Sequence, residues 1–222
     1  MQTLLNGDVD LEALRASIAA LRGRLPPRAK IAVIGSIRTR DRAVVAAGEV
    51  FPLFLASPLM FDQQWGQYVR HTAPHIQIFQ GLLGDHHTAS LLPVLEQAAR
   101  QRVDVVVAAS EIDESMLALL VLNKQRNTLR ASGLVAGADG AGLAALARAI
   151  GVKAGLAGDQ LVVEAPGTAH TLLATPHDTI LLLDPRTNPT APPLGLVFIG
   201  GRDAQEIRLK VDAARALIAA SA

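Results

Sequence analysis

The sequence predicts an α/β fold of sheets layered with helices, and two observations carry that expectation. Short β-branched runs alternate with stretches of helical period. Half of the 222 residues are apolar but only 3 % are aromatic, so Ala, Val and Leu fill the interior, as suits strands buried on both faces. Four prolines crowd into Asp184–Pro193, which reads as the clearest linker.

Leu11, Leu14, Ile18 and Leu21 recur at helical spacing and predict a helix over Asp10–Leu25, ended by Pro26-Pro27. A short buried strand follows at Ile31–Ile34, and a second helix is expected over Asp41–Val50. Phe51–Phe61 is read as loop or irregular strand around Ser57-Pro58, and Ile76–Phe79 as strand. Thr88–Arg102 reads as a helix capped by Thr88 or Ser90, with Pro93 in its first turn. Val103–Ala109 is a β-branched strand. Glu114–Asn127 is a helix with acids at its start and Lys124 and Arg126 at its end, as the helix dipole favours. Strands at Leu129–Val135, Leu161–Val163, Thr179–Leu183 and Leu194–Ile199, a helix at Leu143–Ile150 and a terminal helix at Ala204–Ala220 complete the pattern.

A net charge of +1 without a basic run argues against nucleic acid as partner. With no cysteine, disulfides and thiolate chemistry are excluded, consistent with a reducing, cytoplasmic setting. The polar, acidic start Met1–Asp10 does not read as a signal peptide. The longest apolar run, Met116–Leu122, is far below the roughly 20 residues of a membrane span, so a soluble protein is expected.

Two helices carry more apolar surface than one core-facing stripe requires. In Thr88–Arg102, Leu91, Val94 and Ala98 form one stripe and Leu92, Leu95 and Ala99 another, together about 160° wide where about 100° suffices. In the next helix Met116–Leu122 is apolar throughout. Either both helices lie buried between layers, or one stripe packs on a sheet while the other faces outward for binding. Periodicity does not decide between these.

The segments Leu92-Pro93-Val94-Leu95-Glu96, Val105–Ala109 and Glu111–Asn123 (EIDESMLALLVLN) resemble, in that order, the apical domain of group I chaperonins. Phe51 with Ser57-Pro58, Gly35-Ser36-Ile37, and Leu194–Gly200 followed by Glu206 resemble further stretches of that family. The resemblance implies a layered, apical-like sheet flanked by helices on a small α/β intermediate-like base. Residues 1–50 and 189–222 would form the base and residues 51–188 the apical-like unit. It also implies a polypeptide-binding surface at Leu92, Leu95, Leu117, Val121, Leu122 and Asn123 of the helices and Leu55, Leu59 and Met60 of a neighbouring loop. Partners would be non-native chains, a specific protein, a co-chaperonin or a full-length chaperonin. The sequence departs from the family in carrying no equatorial domain and no GDGTT-like phosphate loop. Ala216 stands where the family's water-activating Asp falls, and Ala136–Gly142 lacks the family's basic run. No cofactor and no ATP hydrolysis are therefore expected.

The alternative enzyme reading is a dinucleotide site at Gly140-Ala141-Gly142-Leu143-Ala144-Ala145, with Glu164 after the next strand. Some five residues separate that motif from the strand before it, which argues against it. His71 and His75 stand four apart, but Pro74 argues against a shared helix face; the adjacent His86-His87 would point apart on a regular element, no H-E-x-x-H pattern occurs, and these histidines read as solvated loop residues. Ser36, Ser57 and Ser110 lack a nucleophile-elbow context.

Overall fold

The structure is a computed structural model that describes residues 11–37, 40–62, 66–136, 140–151, 160–163 and 171–221. Its helices are α1 (Leu11–Arg22), α2 (Thr88–Gln101), α3 (Glu114–Gln125), α4 (Ala141–Ala149) and α5 (Ala204–Ala220). In chain order the strands begin with β1 (Ile31–Ser36), β2 (Arg42–Phe51), β3 (Leu53–Leu55), β4 (Val69–Thr72) and β5 (His75–Leu83). They continue with β6 (Val105–Ile112), β7 (Ala131–Ala136), β8 (Gln160–Val163), β9 (Thr171–Ala174), β10 (Thr179–Leu182) and β11 (Pro193–Gly200).

The strands form two sheets, a six-stranded one in the order β1-β11-β2-β10-β9-β4 and a five-stranded one in the order β3-β7-β6-β5-β8. In the first, β1 and β11 run parallel and the other pairs are antiparallel. One face of β1 and β11 offers Val33, Val197 and Ile199 to Leu14, Ile18 and Leu21 of α1 and to Ile207, Val211 and Ala214 of α5. The other face carries Ala32, Ile34, Leu194 and Leu196, which cluster with Leu173, Ile180 and Tyr68 from the opposite side of the same sheet. The sheet is rolled around this cluster. Its two edges meet where Ser36 bridges Gly66 and the Gln67 N–H donates to the Gly35 carbonyl at 3.2 Å.

The second sheet has a parallel centre. β5, β6 and β7 lie side by side in chain order, joined by α2 and α3. Right-handed crossovers in one direction place both helices on one face. Register confirms the two sides: Gly133 of β7 faces Leu120 of α3, while its neighbour Ser132 faces His71 of β4 in the other sheet. The largest core lies here, built around Val105–Ala109 and reached by Leu172, Ala174 and Leu181 of the six-stranded sheet. α4 touches β2 as well as β5, β6 and β7 and so spans the two sheets.

Four expectations need correction. Arg42–Phe51 is a strand: Val44, Val45 and Val50 are β-branched, Gly48 weakens any helix, and both edges pair, with β11 and β10. Strands β4 and β9 were not anticipated, each being only 4 residues long. Helix α2 has no Thr88 or Ser90 cap, because a 3₁₀ turn at Asp85–His87 runs straight into it. Ser90 instead donates to the His87 carbonyl, and Pro93 falls in the second turn. Asp184–Pro193 connects β10 to β11 within one sheet, folded on bonds from the Arg186 N–H to the Asp184 carboxylate and from the Asn188 N–H to the Asp184 carbonyl.

Asp203 caps α5 by accepting from the Glu206 N–H at 2.8 Å, and Glu206 reaches back to the Arg202 N–H at 2.9 Å. Bonds from the Arg202 backbone and guanidinium hold the Glu206 carboxyl at about 2, well below its ordinary 4.5. The folded-state pKa is depressed, so this carboxylate's contribution is complete above about 4.5 and is lost as pH falls towards 2. Glu206→Gln should flatten the acid limb of a stability–pH curve in that window, measured by thermal melts across pH. At the sheet seam, Gly66 has φ +112° and a Cβ there would lie 2.8 Å from Ser36 Cα. Gly66→Ala should cost about 1–3 kcal/mol of stability in urea titration.

Candidate functional site

The face of the five-stranded sheet that carries α2 and α3 points away from the other sheet. Along α2 the inward line is Leu91, Leu95 and Ala98, one residue in each turn. It takes a member from each stripe proposed from sequence and leaves Leu92 outside, 42 % exposed. Along α3 the inward side is Met116, Leu120 and Val121, and Leu122 is 46 % exposed. The helix starts on Asp113, whose carboxylate accepts from the Met116 N–H at 2.8 Å and from the Ser115 hydroxyl. Those bonds hold Asp113 below the usual carboxylate range.

The nine positions expected to bind polypeptide therefore separate. Leu59, Leu92 and Leu122 are exposed, Leu59 at 63 %. Leu117 and Asn123 are half-buried. Leu117 packs on the core, while the Asn123 amide donates to the Leu119 carbonyl at 2.8 Å and its side-chain oxygen accepts from Thr128. Leu55, Met60, Leu95 and Val121 are buried in the core and are corrected to packing residues. Leu95 and Val121 lie on the helix sides that face the sheet, Leu55 belongs to β3, and Met60 is the buried last residue of the turn that exposes Leu59. Ser57 caps this 3₁₀ turn, Pro58–Met60, by accepting from the Leu59 N–H at 3.2 Å.

Beside the turn lies a cleft of about 580 Å³. Ile37, Leu59, Phe61 and Ile207 line it with apolar surface, together with Lys124 of α3 and the residues Gly201 to Ala204 leading into α5. Ile37, itself 51 % exposed, was not among the expected site residues. The signal available for it was its place directly after the Gly35-Ser36 pair that ends β1.

Behind the helices a polar network joins the sheets. His71 of β4 is 1 % exposed, with Nδ1 3.0 Å from Asp104 Oδ2 and Nε2 2.8 Å from Ser132 Oγ. The carboxylate only accepts, so in the neutral ring Nδ1 donates to it and Nε2 accepts from the Ser132 hydroxyl. Arg130 lies 3.7 Å from Asp104 and donates to Asp62 Oδ2 at 3.2 Å and to the Arg70 carbonyl at 2.8 Å. Lys124 of α3 pairs with Asp62 at 3.1 Å and donates to the Met60 carbonyl. Burial pulls Lys124 below the usual lysine value, and Asp62 opposes that pull.

Serine, histidine and aspartate in this order are the parts of a hydrolytic triad. Here Ser132 is 0 % exposed, near the start of β7 opposite Val106 of β6, so no substrate carbonyl reaches it. The array is an inter-sheet clamp. His71 is thus corrected from a solvated loop residue to a buried strand residue. Among the described residues no cluster of three or more His, Asp or Glu side chains is placed to hold a metal ion. Ser110 accepts from the Gly81 N–H at 3.1 Å.

The dinucleotide reading loses its central feature. Gly140 is the N-cap of α4, but a Cβ on Gly142 would sit 2.9 Å from both the Leu53 side chain and the Pro52 carbonyl. The close approach a pyrophosphate needs is taken by the chain's own β2–β3 corner. Glu164 lies outside the described residues.

No protein-family model matches the sequence. Among solved structures, the chain is similar to the chaperonin gp146 from bacteriophage EL 2 (Pseudomonas aeruginosa), crystallised in the presence of ATP-BeFx. The TM-score is 0.53 at 16 % identity, over 97 % of this chain and 49 % of gp146. A second crystal form of gp146 matches with a TM-score of 0.48 at 14 % identity, over 87 % of this chain and 45 % of that one. The chain thus spans about half the length of the chaperonin it matches. No helix among the described residues is long and apolar enough to cross a membrane.

Removing the clamp's central ring should be costly without touching the outer helix face. His71→Ala, which leaves the Ser132 hydroxyl without its partner, should lower stability by about 1–3 kcal/mol in urea titration, and Ser132→Ala by less. The fold is that of a chaperonin-like α/β protein.

Proposed function

We propose that the outer face of α2 and α3 binds segments of other polypeptides, without ATP hydrolysis. The observation that carries the reading is the pair Leu92 and Leu122, each close to half exposed on the two helices that connect the parallel strands β5, β6 and β7. Sealing such leucines under a partner is worth roughly 1.5–3 kcal/mol each before ordering costs. Leu59 and the neighbouring cleft extend the apolar surface. The chaperonin-like fold supports a chaperone-related role, and the ordered sequence resemblance supports the apical domain of group I chaperonins as the part this unit corresponds to. As part of the same proposal, residues 51–188 carry the binding unit and the two flanking segments form its base. Absence of turnover rests on Ala216 and on the lack of a GDGTT-like loop within these 222 residues.

Leu92→Glu combined with Leu122→Glu should weaken capture of a denatured client about tenfold or more in light-scattering aggregation assays, with unchanged circular dichroism. Unimpaired capture, or unfolding of the variant, would overturn the assignment. Leu95→Ala is the internal contrast: it should cost about 2–5 kcal/mol of stability, as a core leucine does. Protection of several unrelated clients identifies a holdase; tight binding of one partner alone identifies an adaptor. Measured ATP turnover by the purified chain would remove the ATP-independent part of the reading.

A further inference from the structure

We infer that the cleft between the C-terminal ends of α1 and α5 and the β2–β3 corner binds a small organic anion with a phosphate-like head and an apolar body. The cleft has a volume of about 830 Å³, within the range of about 300–1,000 Å³ typical of small-molecule sites. It lies apart from the outer face of α2 and α3.

Charge argues for the head. Arg22, Arg28, Lys30 and Arg215 line the cleft against a single carboxylate, Asp178. The whole chain has 21 basic and 20 acidic residues, so this is a local excess rather than a generally basic surface. Two helices end here, and their carbonyl dipoles contribute about half a negative charge each. Four cations and one carboxylate still leave a surplus of about two positive charges after that correction.

The cations come from three chain segments and keep donors to offer. Arg215 pairs with Asp178. Arg22 gives one terminal nitrogen to the Ala29 carbonyl at 2.9 Å, while its buried Nε has no partner. Lys30 donates to the Val50 carbonyl at 3.1 Å with one of its three protons. Arg28 has no ion-pair partner among the described residues, and it is exposed. Guanidinium forks beside an ammonium suit a multiply charged tetrahedral head better than a single carboxylate. The walls between them are apolar: Ile31, Val50, Pro52 and Ile218. A free inorganic ion would leave that surface wet; a ring or short chain attached to the head would cover it.

Titration calorimetry on the full chain at low salt tests this with three probes: phenyl phosphate, inorganic phosphate and phenol. Phenyl phosphate should bind, inorganic phosphate about tenfold more weakly, and phenol not measurably. Arg28→Glu with Lys30→Glu replaces exposed side chains, so circular dichroism should be unchanged while phenyl phosphate affinity falls about tenfold or more. The Leu92→Glu/Leu122→Glu variant should keep that affinity. No phenyl phosphate binding at millimolar concentration, phenol binding as tightly, or an unaltered affinity in the charge-reversed variant would overturn the inference.

Discussion

One buried imidazole holds the two sheets in register. β4 is the edge of the rolled sheet, and His71 is the residue through which that edge grips β7 and the start of β6. A polar ring sealed among small aliphatic residues is tolerated only when both nitrogens are bonded. Ser132 and Asp104 meet that requirement, and Arg130 neutralises the carboxylates that flank them. Alternative packings of the sheets would strand these groups in an apolar interior. The clamp thereby favours one arrangement of the sheets over slipped ones, a selectivity that non-directional contacts among Ala, Val and Leu do not provide.

The same network reaches the outer helices. Lys124 sits near the end of α3, yet its ammonium bonds inward to Asp62 and to the Met60 carbonyl. This anchors the helix end on the 3₁₀ turn that displays Leu59. Leu122 and Leu59 are consequently mounted on a fixed support. The exposure of Leu92 and Leu122 follows from geometry: a sheet takes one line of residues from each helix, and sequences apolar over a wider arc leave a remainder outside.

Much of this was legible in the sequence. Helices α1, α3 and α5, and β6 at the centre of the parallel sheet, follow from periodicity, caps and β-branching. The excess of apolar surface on α2 and α3 was legible as well. Its assignment to particular side chains was not, because Leu95 and Leu92 fall within one sequence stripe and only the tilt of the helix on the sheet separates them. Arg42–Phe51 misleads because alanines and valines fit either period until the neighbouring strands are known. The clamp is invisible in one dimension: His71 meets residues 33 and 61 positions away, with no local motif to join them. Similarly, the cationic cleft is assembled from α1, the loop after it, and α5.

The position of β11 bears on how the chain comes to be folded. It lies between β1 and β2, pairing Ile31 with Gly195, so the interior of the rolled sheet joins partners about 160 residues apart. Loop closure over such a length costs on the order of 4–5 kcal/mol of chain entropy before any contact is rewarded. During synthesis β1 and β2 emerge early and wait, their inner edges unpaired, until residue 200 has left the ribosome. A nascent chain of this protein therefore passes through a long interval with open strand edges, while the β5–β7 layer, whose pairings are local, is already free to form.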